Sequence, residues 1–583
     1  AGKALVGRVL RVKLVCRGKP LVPGEAEGAL LAAPLGLSFW GGVDSLTGRV
    51  IDRHHPLHGE SIAGCVLAIP GGRGSCSGSG VLLELIRAAR APAAIVVRER
   101  EEILTLGALV AEMIVARSIP VLQVSPEDFG RLDGFGHARI AGDSLQLFAE
   151  RPSDGWSPAP PPWAEDDAGG PRLDAIDRAL LAGEHGEAAR FAMRLLLRMA
   201  ALQEAEDFLD VAQVHVDGCI YTGPACLDFA RRLVDGGARV RVPTTLNAIS
   251  VDHRRWRQQG VDEALGAPAA ALAEAYLAMG ARPSFTCAPY LLDSAPAFGE
   301  QIGWAESNAV VYANSVIGAR TMKYPDYLDI CIALTGRAPR AGCHLDAGRQ
   351  ATLALEVALP EGADDAFWPL LGYACGSLSG DEIPLLLGLE ASAPGPDDLK
   401  AFGAAFATTA AAPMFHIAGV TPEAAAQRPG RRLRIDRAAL RRAWAELDSA
   451  GAEEIGLVSL GNPHFSAAEW ARLAALLRGR KKAPDAAVVV TCGRAVYEAA
   501  ARAGHVAAAE AFGVQVVTDT CWCMLGEPVI PPAVRTLMTN SAKYAHYAPG
   551  LVGRAVRFGS LAACVEAACS GRAEARPPAW LMD

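Results

Sequence analysis

Residues 282–325 read RPSFTCAPYLLDSAPAFGEQIGWAESNAVVYANSVIGARTMKYP, and the rest of the fold is interpreted outward from this stretch. Its small and apolar residues are interrupted by polar ones, namely Cys287, Glu306, Ser307, Asn308, Asn314, Ser315, Arg320 and Lys323. Because a buried polar group without a partner costs about 1–3 kcal/mol, an ordinary core segment would not carry so many. We predict a buried polar site with the Cys287 thiol at its edge. The alternative is a packed helix with a hydrogen-bonded Glu306 and a core cysteine.

The composition limits the classes of partner. The chain has 583 residues, more than one ordinary domain of about 100–200 residues, and its hydrophobic fraction of 51% can fill several cores. The net charge is −8 without a Lys/Arg run, which argues against nucleic acid and anionic membranes as partners. No apolar run reaches the roughly 20 residues of a membrane-spanning helix. Neither nucleic acid nor an anionic membrane is therefore expected to be the main partner.

The cysteines indicate a reducing compartment. Fourteen of them are spread along the chain without short, even spacing, which does not resemble a disulfide scaffold. Residues 1–16 alternate like a strand rather than forming a signal peptide. We therefore expect a cytoplasmic protein whose free thiols can bind metals or clusters.

The Pro-rich, acidic segment 151–172 is predicted to be a linker between two domains. Residues 1–150 read as a small β-rich domain, with strands at 5–16, 64–69, 93–98 and 119–124. Residues 173–583 alternate helical and strand patterns, beginning with a helical run over 173–208, which is typical of α/β layers. The chain is therefore predicted to join a small β-rich domain to a large α/β domain.

The first domain contains a Gly-rich loop, GGRGSCSGSG, at residues 71–80. It joins a predicted strand to a predicted helix, an arrangement that lets backbone N–H groups point at an anion. No Gly-Lys-Ser/Thr follows, so the loop is not a nucleotide P-loop. Ser75, after Arg73 and Gly74, is the candidate reactive group; the alternative is a flexible turn.

Three histidines in the same domain, His54, His55 and His58, could suggest a metal site. A fourth ligand is missing and Pro56 lies among them, so we expect a solvated or hydrogen-bonded turn instead.

Polar or thiol residues follow five predicted strands of the second domain. In chain order they are His215 and Asp217; Thr244, Thr245 and Asn247; Cys492; Asp519 and Cys521; and Asn540, Ser541 and Lys543. Because ligands of open α/β sheets bind beyond the carboxyl ends of the strands, these residues predict one shared site.

Cys287, Cys492 and Cys521 each follow a threonine and are far apart in the sequence. A structural zinc site more often uses paired, closely spaced cysteines. Thiolates from separate loops are better suited to an iron–sulfur centre, although lone buried cysteines are also common in cores. The remaining cysteines in apolar or helical surroundings are interpreted as core residues: Cys16, Cys65, Cys219, Cys226, Cys331, Cys375, Cys564 and Cys569.

Taken together, these motifs resemble the aconitase X family in its single-chain form. The matching strings are SFWGGVD and GRGS in the first domain, and HVDG, VPTTLNA, TCAPY, AESNAVVYANSVIGART, LGNPHFS, VVVTCG and DTC in the second. The resemblance implies a swivel-like β-rich domain fused to a large, multi-layer, aconitase-like α/β domain. It also implies a dehydratase that acts as a monomer.

By motif, the resemblance assigns Ser75 as the catalytic base and Cys287, Cys492 and Cys521 as ligands of an iron–sulfur cluster, with a 2Fe–2S type favoured for the fused form. It leaves open the roles of Cys76 and Cys523. The candidate substrate-binding residues are Arg73, His215, Asp217, Thr245, Asn247, Glu306, Ser307, Asn308, Arg320 and Lys323.

The fused form of the family implies cis-3-hydroxy-L-proline as substrate and Δ1-pyrroline-2-carboxylate as product, formed through the 2,3-enamine. The C2 proton of this isomer lies opposite the hydroxyl, as anti elimination requires. Iron would polarise the hydroxyl, and Ser75 would take the proton if loop N–H groups and Arg73 lower its pKa. The alternatives are a dehydratase of another hydroxy acid, such as 5-phosphomevalonate, and a non-catalytic iron–sulfur regulator.

Overall fold

The computed structural model describes residues 14–159 and 170–582. They form two compact units: residues 14–72 and 78–159, and residues 73–77 and 170–582. The sequence predicted a first domain over 1–150, whereas the structure groups the loop 73–77 with the second unit. Most of the strand predicted at 5–16, and linker residues 160–169, lie outside the described residues. None of the described helices is long and apolar enough to cross a membrane.

The first unit is a closed barrel with the strand order β1-β5-β4-β3-β2-β6-β7. Its strands are β1 (Leu14–Val22), β2 (Glu25–Ala32), β3 (Val66–Ile69), β4 (Ala94–Val97), β5 (Val121–Val124), β6 (His137–Ala141) and β7 (Ser144–Phe148). Its helices are α1 (Gly78–Arg87), α2 (Ile103–Val115) and α3 (Pro126–Phe129). Strands β2 to β5 are parallel, and β3 and β4 are buried along their whole length, as expected for parallel strands covered on both faces. Alternate residues such as Val66, Val96 and Leu147 form one core cluster.

The Gly-rich loop joins β3 to the N-terminus of α1, as the sequence predicted. Gly74 has a φ of +75°, a conformation that L side chains rarely adopt. Helix α1 packs closely on α2, since a Cβ at Gly107 would lie 2.7 Å from the Ser79 carbonyl oxygen. This packing holds the end of the loop.

Two other predictions for the first unit can be compared with the structure. The His55 ring bonds the Leu35 carbonyl at 3.0 Å and accepts from the Leu57 N–H at 3.2 Å, which confirms a hydrogen-bonded turn. The described start of the linker is irregular and held to the barrel. Arg139 pairs with Asp154 at 2.8 Å and lies 4.5 Å from the Trp156 ring centroid.

The second unit contains four sheets. Its described strands are β8 (Phe208–Asp210), β9 (Val214–Val216), β10 (Thr244–Leu246), β11 (Gly303–Trp304), β12 (Arg337–Pro339), β13 (Leu353–Val357), β14 (Pro384–Leu387), β15 (His416–Ile417), β16 (Arg431–Ile435), β17 (Leu457–Leu460), β18 (Ala487–Cys492), β19 (Val514–Thr518), β20 (Thr536–Thr539) and β21 (Ala555–Phe558). The orders are β10-β9-β11, β12-β8, β15-β14-β13-β16 and β19-β18-β17-β20-β21, and all but the two-stranded sheet are parallel.

Helices cover these sheets. They are α4 (Ala175–Ala182), α5 (Glu187–Leu202), α6 (Pro224–Asp235), α7 (Glu263–Ala278), α8 (Ser307–Tyr312), α9 (Leu328–Thr335), α10 (Phe367–Ser379), α11 (Pro396–Thr409), α12 (Arg437–Leu447), α13 (Ala467–Leu477), α14 (Arg494–Arg502), α15 (His505–Phe512), α16 (Ala542–Leu551) and α17 (Leu561–Ser570). A π-helical turn, Ala313–Ile317, directly follows α8. The mixed α/β fold predicted from the sequence is confirmed.

Two local predictions were wrong. The helical run over 173–208 is divided into α4 and α5, because Gly183 ends α4 with a φ of +82°. Thr244 and Thr245 lie within β10 rather than after it. Pro243 cannot donate a ladder hydrogen bond, so regular pairing begins only at Thr244.

The carboxyl ends of two parallel sheets meet. The Ile249 N–H, beyond β10, donates to the Asp519 carbonyl, beyond β19, at 2.8 Å. Polar residues that follow β9, β10, β19 and β20 therefore lie in one region of the second unit.

Candidate active site

The GRGS serine lies in the loop segment that belongs to the second unit. The Ser75 hydroxyl accepts from the Ser77 N–H and donates to the Ser77 hydroxyl, both at 3.3 Å. The Cys76 carbonyl accepts from the Asp326 N–H at 3.4 Å. Ser75 is only half-buried, whereas Cys76 and Ser77 are fully buried. Ser75 is therefore the hydroxyl of this segment that a ligand can reach.

Behind Ser75 lies a buried cluster of three carboxyl groups, those of Asp217, Asp326 and Asp329, none more than 1% exposed. The Ser77 hydroxyl donates to Asp217 Oδ2 at 3.3 Å, and the Asn247 amide donates to Asp217 Oδ1. Asp329 Oδ2 accepts from the Asp217 N–H at 2.6 Å and the Gly218 N–H at 3.0 Å. The cluster is thus tightly hydrogen-bonded.

Strand register explains this cluster. Strands β9 and β10 are parallel and pair Val216 with Leu246, so the next residues, Asp217 and Asn247, leave the sheet side by side. Burial first, and then the nearby charges of Glu306 and Asp329, raise the pKa of Asp217 to about 7. Burial and the neighbouring carboxylates, Asp217 first, also raise the pKa of Asp326 well above its usual range. The cluster therefore retains protons near neutral pH.

Glu306 connects the Cys287 loop to α16. It caps α8 with a φ of +71°, and its Oε2 accepts from the Ala309 N–H at 2.8 Å. Its Oε1 accepts from Lys543 Nζ at 2.8 Å. The Asn308 amide donates both to Glu306 Oε2, at 2.5 Å, and to the Cys287 carbonyl, at 2.6 Å. A non-glycine residue in the left-handed region is costly, and such strain is typical of functional sites.

Three thiols meet beside this ion pair. The Cys521 thiol hydrogen-bonds with those of Cys287 and Cys523. The His464 N–H donates to Cys287 Sγ and the Asn462 amide donates to Cys523 Sγ, both at 3.3 Å.

The surroundings act on two of these thiols in opposite directions. Hydrogen bonds with Cys287 and Cys523, and then burial, raise the pKa of Cys521 well above its usual value. The contact with Cys521 outweighs burial and lowers the pKa of Cys523 to about 7, and the Lys543 ammonium acts in the same direction. Burial alone would lower the pKa of Lys543. The charges of Glu306 and then of the three cysteines hold it well above its usual value instead. A lysine beside three thiols thus offsets their negative charge.

Cys492 does not join these thiols. Its side chain lies in the apolar cluster of the five-stranded sheet, with Val488, Val490 and Trp470. Burial raises the pKa of the Cys492 thiol to about 12. The structure thus brings Cys287 and Cys521 together with Cys523 and places Cys492 in the core, while the ligand set predicted from the sequence, Cys287, Cys492 and Cys521, stays a prediction.

The chemistry of the three thiols, those of Cys287, Cys521 and Cys523, fits the iron–sulfur cluster that the resemblance implies. They are soft donors, they accept N–H···S hydrogen bonds, and a cation stands beside them, all of which are features of protein sites for such clusters. In the part of the chain that the structure describes, no three His, Cys, Asp or Glu side chains already stand in metal-ligand geometry. The thiols instead hydrogen-bond to one another, and metal ligation would replace the protons of these hydrogen bonds.

Three predicted substrate-binding residues are engaged by the protein itself or enclosed in it. Arg320 pairs with Asp346 and donates to the His344 carbonyl at 3.2 Å. The His215 ring is fully buried and bonds the Thr245 hydroxyl at 2.8 Å. Burial lowers the pKa of His215 to about 3, so its ring stays neutral and serves the packing of β9 on β10. Ser307 is buried in the first turn of α8.

Two basic residues remain near the site. Lys323 is half-buried, and its ammonium donates to the Ala410 carbonyl at 3.1 Å. Burial lowers the pKa of Lys323 to about 8, against the opposing pull of Cys76 and Glu306. Arg73 is half-buried in the segment that carries Ser75.

Sequence reasoning missed several members of the site: Ser77, Asp326, Asp329, Asn462 and His464. Asn462 and His464 lie within the matched string LGNPHFS, and Ser77 lies within the Gly-rich loop, so those motifs could have indicated them. Asp326 and Asp329 carry no local signal, because only the fold brings them beside Asp217. Lys543 was among the residues after strands that predicted one shared site, but it was not assigned a role there.

Comparisons with known proteins agree with this architecture. Sequence profiles match the aconitase X swivel domain at residues 15–147, and the first, second and third domains at residues 171–347, 351–445 and 455–570. A cis-3-hydroxy-L-proline dehydratase of Pseudomonas aeruginosa is 61% identical over 572 residues, which are 97% of this chain and 98% of that protein. A protein of the same name from Hypocrea jecorina is 54% identical over 584 residues, 97% of each chain.

A solved structure extends the comparison. The holo-form crystal structure of Thermococcus kodakaraensis aconitase X has 28% identity and a TM-score of 0.62, covering 68% of this chain and 100% of that one. The predicted resemblance is confirmed. With four matching domains and identity along nearly its whole length, this chain belongs to the aconitase X family.

Proposed function

We propose that the protein is a hydro-lyase that dehydrates cis-3-hydroxy-L-proline to Δ1-pyrroline-2-carboxylate. The observation that carries this proposal is the identity of 61% and 54% to two dehydratases named for that substrate, each spanning 97% of the chain. The geometry supports it, because a reachable serine, a buried carboxyl cluster and a group of thiols occur in one unit. The named relatives act on a small molecule, as this chain is proposed to do.

The reaction removes the C2 proton and the C3 hydroxyl from opposite faces of the ring. The C2–H electron pair becomes the C2=C3 bond, and proton and hydroxide leave as water. The resulting 2,3-enamine tautomerises to the Δ1 product. Ser75 is proposed as the base, because it is the accessible hydroxyl of its segment and accepts a backbone N–H.

Aconitase-like proteins generally carry an iron–sulfur cluster. We propose that Cys287, Cys521 and Cys523 hold it here, in place of the set that included Cys492, and that it is of the 2Fe–2S type. When bound, iron would act as a Lewis acid toward the C3 hydroxyl. The His464 N–H and the Asn462 amide would keep their hydrogen bonds to the sulfur atoms, and Lys543 would offset the charge.

The substrate carboxylate needs a cation. Lys323 is proposed for this role because its ammonium donates one hydrogen bond to a carbonyl and has further N–H donors. Arg73 is proposed because it is a half-buried cation in the segment that carries Ser75. Glu306 and Asn308 are proposed to position Lys543 and the Cys287 loop rather than to bind substrate, since they hydrogen-bond to protein atoms.

We also propose that the protein is a cytoplasmic monomer. All fourteen cysteines are free thiols in the structure, which suits a reducing compartment, and one chain carries every proposed group. Light scattering of the purified protein should give a mass near 60.9 kDa.

The test incubates anaerobically purified, brown protein with cis-3-hydroxy-L-proline, trans-3-hydroxy-L-proline and 5-phosphomevalonate. We expect turnover of the cis isomer, because only that isomer places the proton and the hydroxyl anti. Equal turnover of the trans isomer would refute the anti mechanism. Activity on phosphomevalonate alone would favour the other dehydratase, and a folded, coloured protein inactive on all three would favour a regulator.

A further inference from the structure

A line of hydroxyl and carboxyl groups leads inward from Ser75. The Ser75 hydroxyl donates to the Ser77 hydroxyl at 3.3 Å, and the Ser77 hydroxyl donates to Asp217 Oδ2 at 3.3 Å. Ser77 is 0% exposed and Asp217 is 1% exposed, whereas Ser75 is half-buried. These contacts are longer than an ideal O–H···O bond of about 2.7 Å, as catalytic hydrogen bonds often are before substrate binds.

The line ends in a pair of carboxyl groups. Asp326 hydrogen-bonds both Asp217 and Ser77, and the Asn247 amide holds the other oxygen of Asp217. Asp329 faces the same pair and is itself tied to the Asp217 and Gly218 N–H groups. Two carboxyl groups in contact cannot both be ionised easily, so such a pair shares a proton. The raised pKa of Asp217, about 7, agrees with a group that can accept a proton at neutral pH.

We propose that Ser77, Asp217 and Asp326 form a proton relay that takes the hydroxyl proton of Ser75 while Ser75 takes the C2 proton of the substrate. This inference rests on the proposed function and deepens it, because it explains how a serine can act as a base. Ser77, Asp217 and Asp326 act through Ser75 and are positioning residues.

The relay moves three protons, those of the substrate C2, Ser75 and Ser77. The C2–H bond breaks, its proton bonds to Ser75 Oγ, and its electron pair forms C2=C3 as hydroxide leaves C3. The former Ser75 proton moves to Ser77 Oγ, and the former Ser77 proton moves to Oδ2 of Asp217, which is the ionised member of the pair while Asp326 holds the shared proton. A proton then returns from Asp217 through the same hydroxyls and combines with the departed hydroxide, so each turnover yields one enamine and one water.

The relay competes with a simpler role for Asp217, direct contact with the substrate ring nitrogen. The burial of Asp217 and its occupied oxygen atoms favour the relay. The two roles differ in kinetics. Loss of a substrate contact raises KM, whereas loss of a relay lowers kcat with little change in KM.

The experiment compares Ser77→Ala and Asp217→Asn with the wild type and with Ser459→Ala. Ser459 is a matched control, because its hydroxyl is equally buried and has no hydrogen-bond partner. We expect kcat to fall about 10²–10⁴-fold in both relay variants, with KM within about threefold and the iron content unchanged. The kinetic isotope effect with C2-deuterated substrate should rise, because proton transfer becomes rate-limiting. A kcat within about threefold of the wild type in Ser77→Ala, or a fall that appears only in KM, would overturn the relay.

A second measurement does not depend on the substrate. The relay should make Ser75 nucleophilic, so a fluorophosphonate probe should label Ser75 in wild type and Ser459→Ala, and much more slowly in both relay variants, as read by peptide mass spectrometry. Equal labelling in all four proteins, including no labelling, counts against the relay. Failure of the proposed function is distinct: the wild type would then be inactive on cis-3-hydroxy-L-proline, while the labelling result still decides the relay.

Discussion

The ends of two neighbouring strands, β18 and β19, look alike in sequence and differ in structure. Strand β18 ends in the pair Thr491-Cys492, and β19 is followed by the pair Thr520-Cys521. The strands are parallel partners, and Cys492 lies opposite Thr518. Yet the Cys492 thiol packs among valines, whereas the Cys521 thiol lies between two other thiols.

The difference arises from where each strand stops. Cys492 is the last residue of β18, so strand alternation places it on the same face as Val488 and Val490, which helices cover. Cys521 lies beyond the end of β19, after Asp519 has turned the chain with a φ of +70°. Arg494 holds that turn through two bonds to the Asp519 carboxylate, at 2.6 and 2.8 Å. Cys521, which follows the end of its strand, therefore lies beside other thiols, whereas Cys492, which ends its strand, packs in the core.

The largest expected effect is on bound iron and activity, and it should distinguish Cys521 from Cys492. Cys287→Ala, Cys521→Ala and Cys523→Ala should each lose bound iron, the visible absorbance and at least about 10²-fold in activity, because each removes a proposed ligand. Cys492→Ala is the matched control and should keep all three. Iron analysis, spectra and turnover of the anaerobically purified variants check this.

Two outcomes would contradict this distinction between Cys492 and the proposed ligands. Loss of colour in Cys492→Ala would restore the set predicted from sequence. Retention of iron in Cys523→Ala, with loss in the other two, would leave Cys523 as a neighbour of the site rather than a ligand.

A second prediction concerns the cation beside the thiols. Lys543→Met should destabilise the protein by about 3–5 kcal/mol, because it leaves the Glu306 carboxylate buried without its partner. The double variant Lys543→Met/Glu306→Gln should regain much of that stability but not the activity, since the thiols would still lack the ammonium. Unfolding monitored by circular dichroism, with turnover alongside, measures both. A double variant as unstable as the single one would show that the ion pair is not the cause.

The smallest effect is expected at the core cysteine. Cys492→Ala removes one fully buried sulfur atom and should cost about 1 kcal/mol, close to the cost of Cys564→Ala in the same apolar cluster. The free energy of unfolding in denaturant tests this for both variants. A much larger cost for Cys492→Ala alone would mean that its thiol has a role beyond packing.

Local patterns in the sequence were sufficient for much of the architecture. Alternation and Gly/Pro signals indicated β3, β4, β18 and the Gly-rich loop, because these depend on neighbours along the chain. The long matched strings indicated the family, and they included Ser75, Cys287 and Cys521. Where a helix or strand ended was less predictable: Gly183 divided one predicted helix, and Pro243 delayed one strand.

Tertiary structure alone decided which residues share the site. Ser77 and Asp217 are 140 residues apart, and Lys543 and Glu306 are 237 residues apart, so no local pattern could pair them. Strand register and the turn at Asp519 place Cys523, rather than Cys492, beside Cys287 and Cys521. The sequence by itself determined the elements and the family, since propensity and patterning act locally. Which thiols, carboxylates and ammonium groups face one another was set by the packing of sheets, because it depends on contacts between distant parts of the chain.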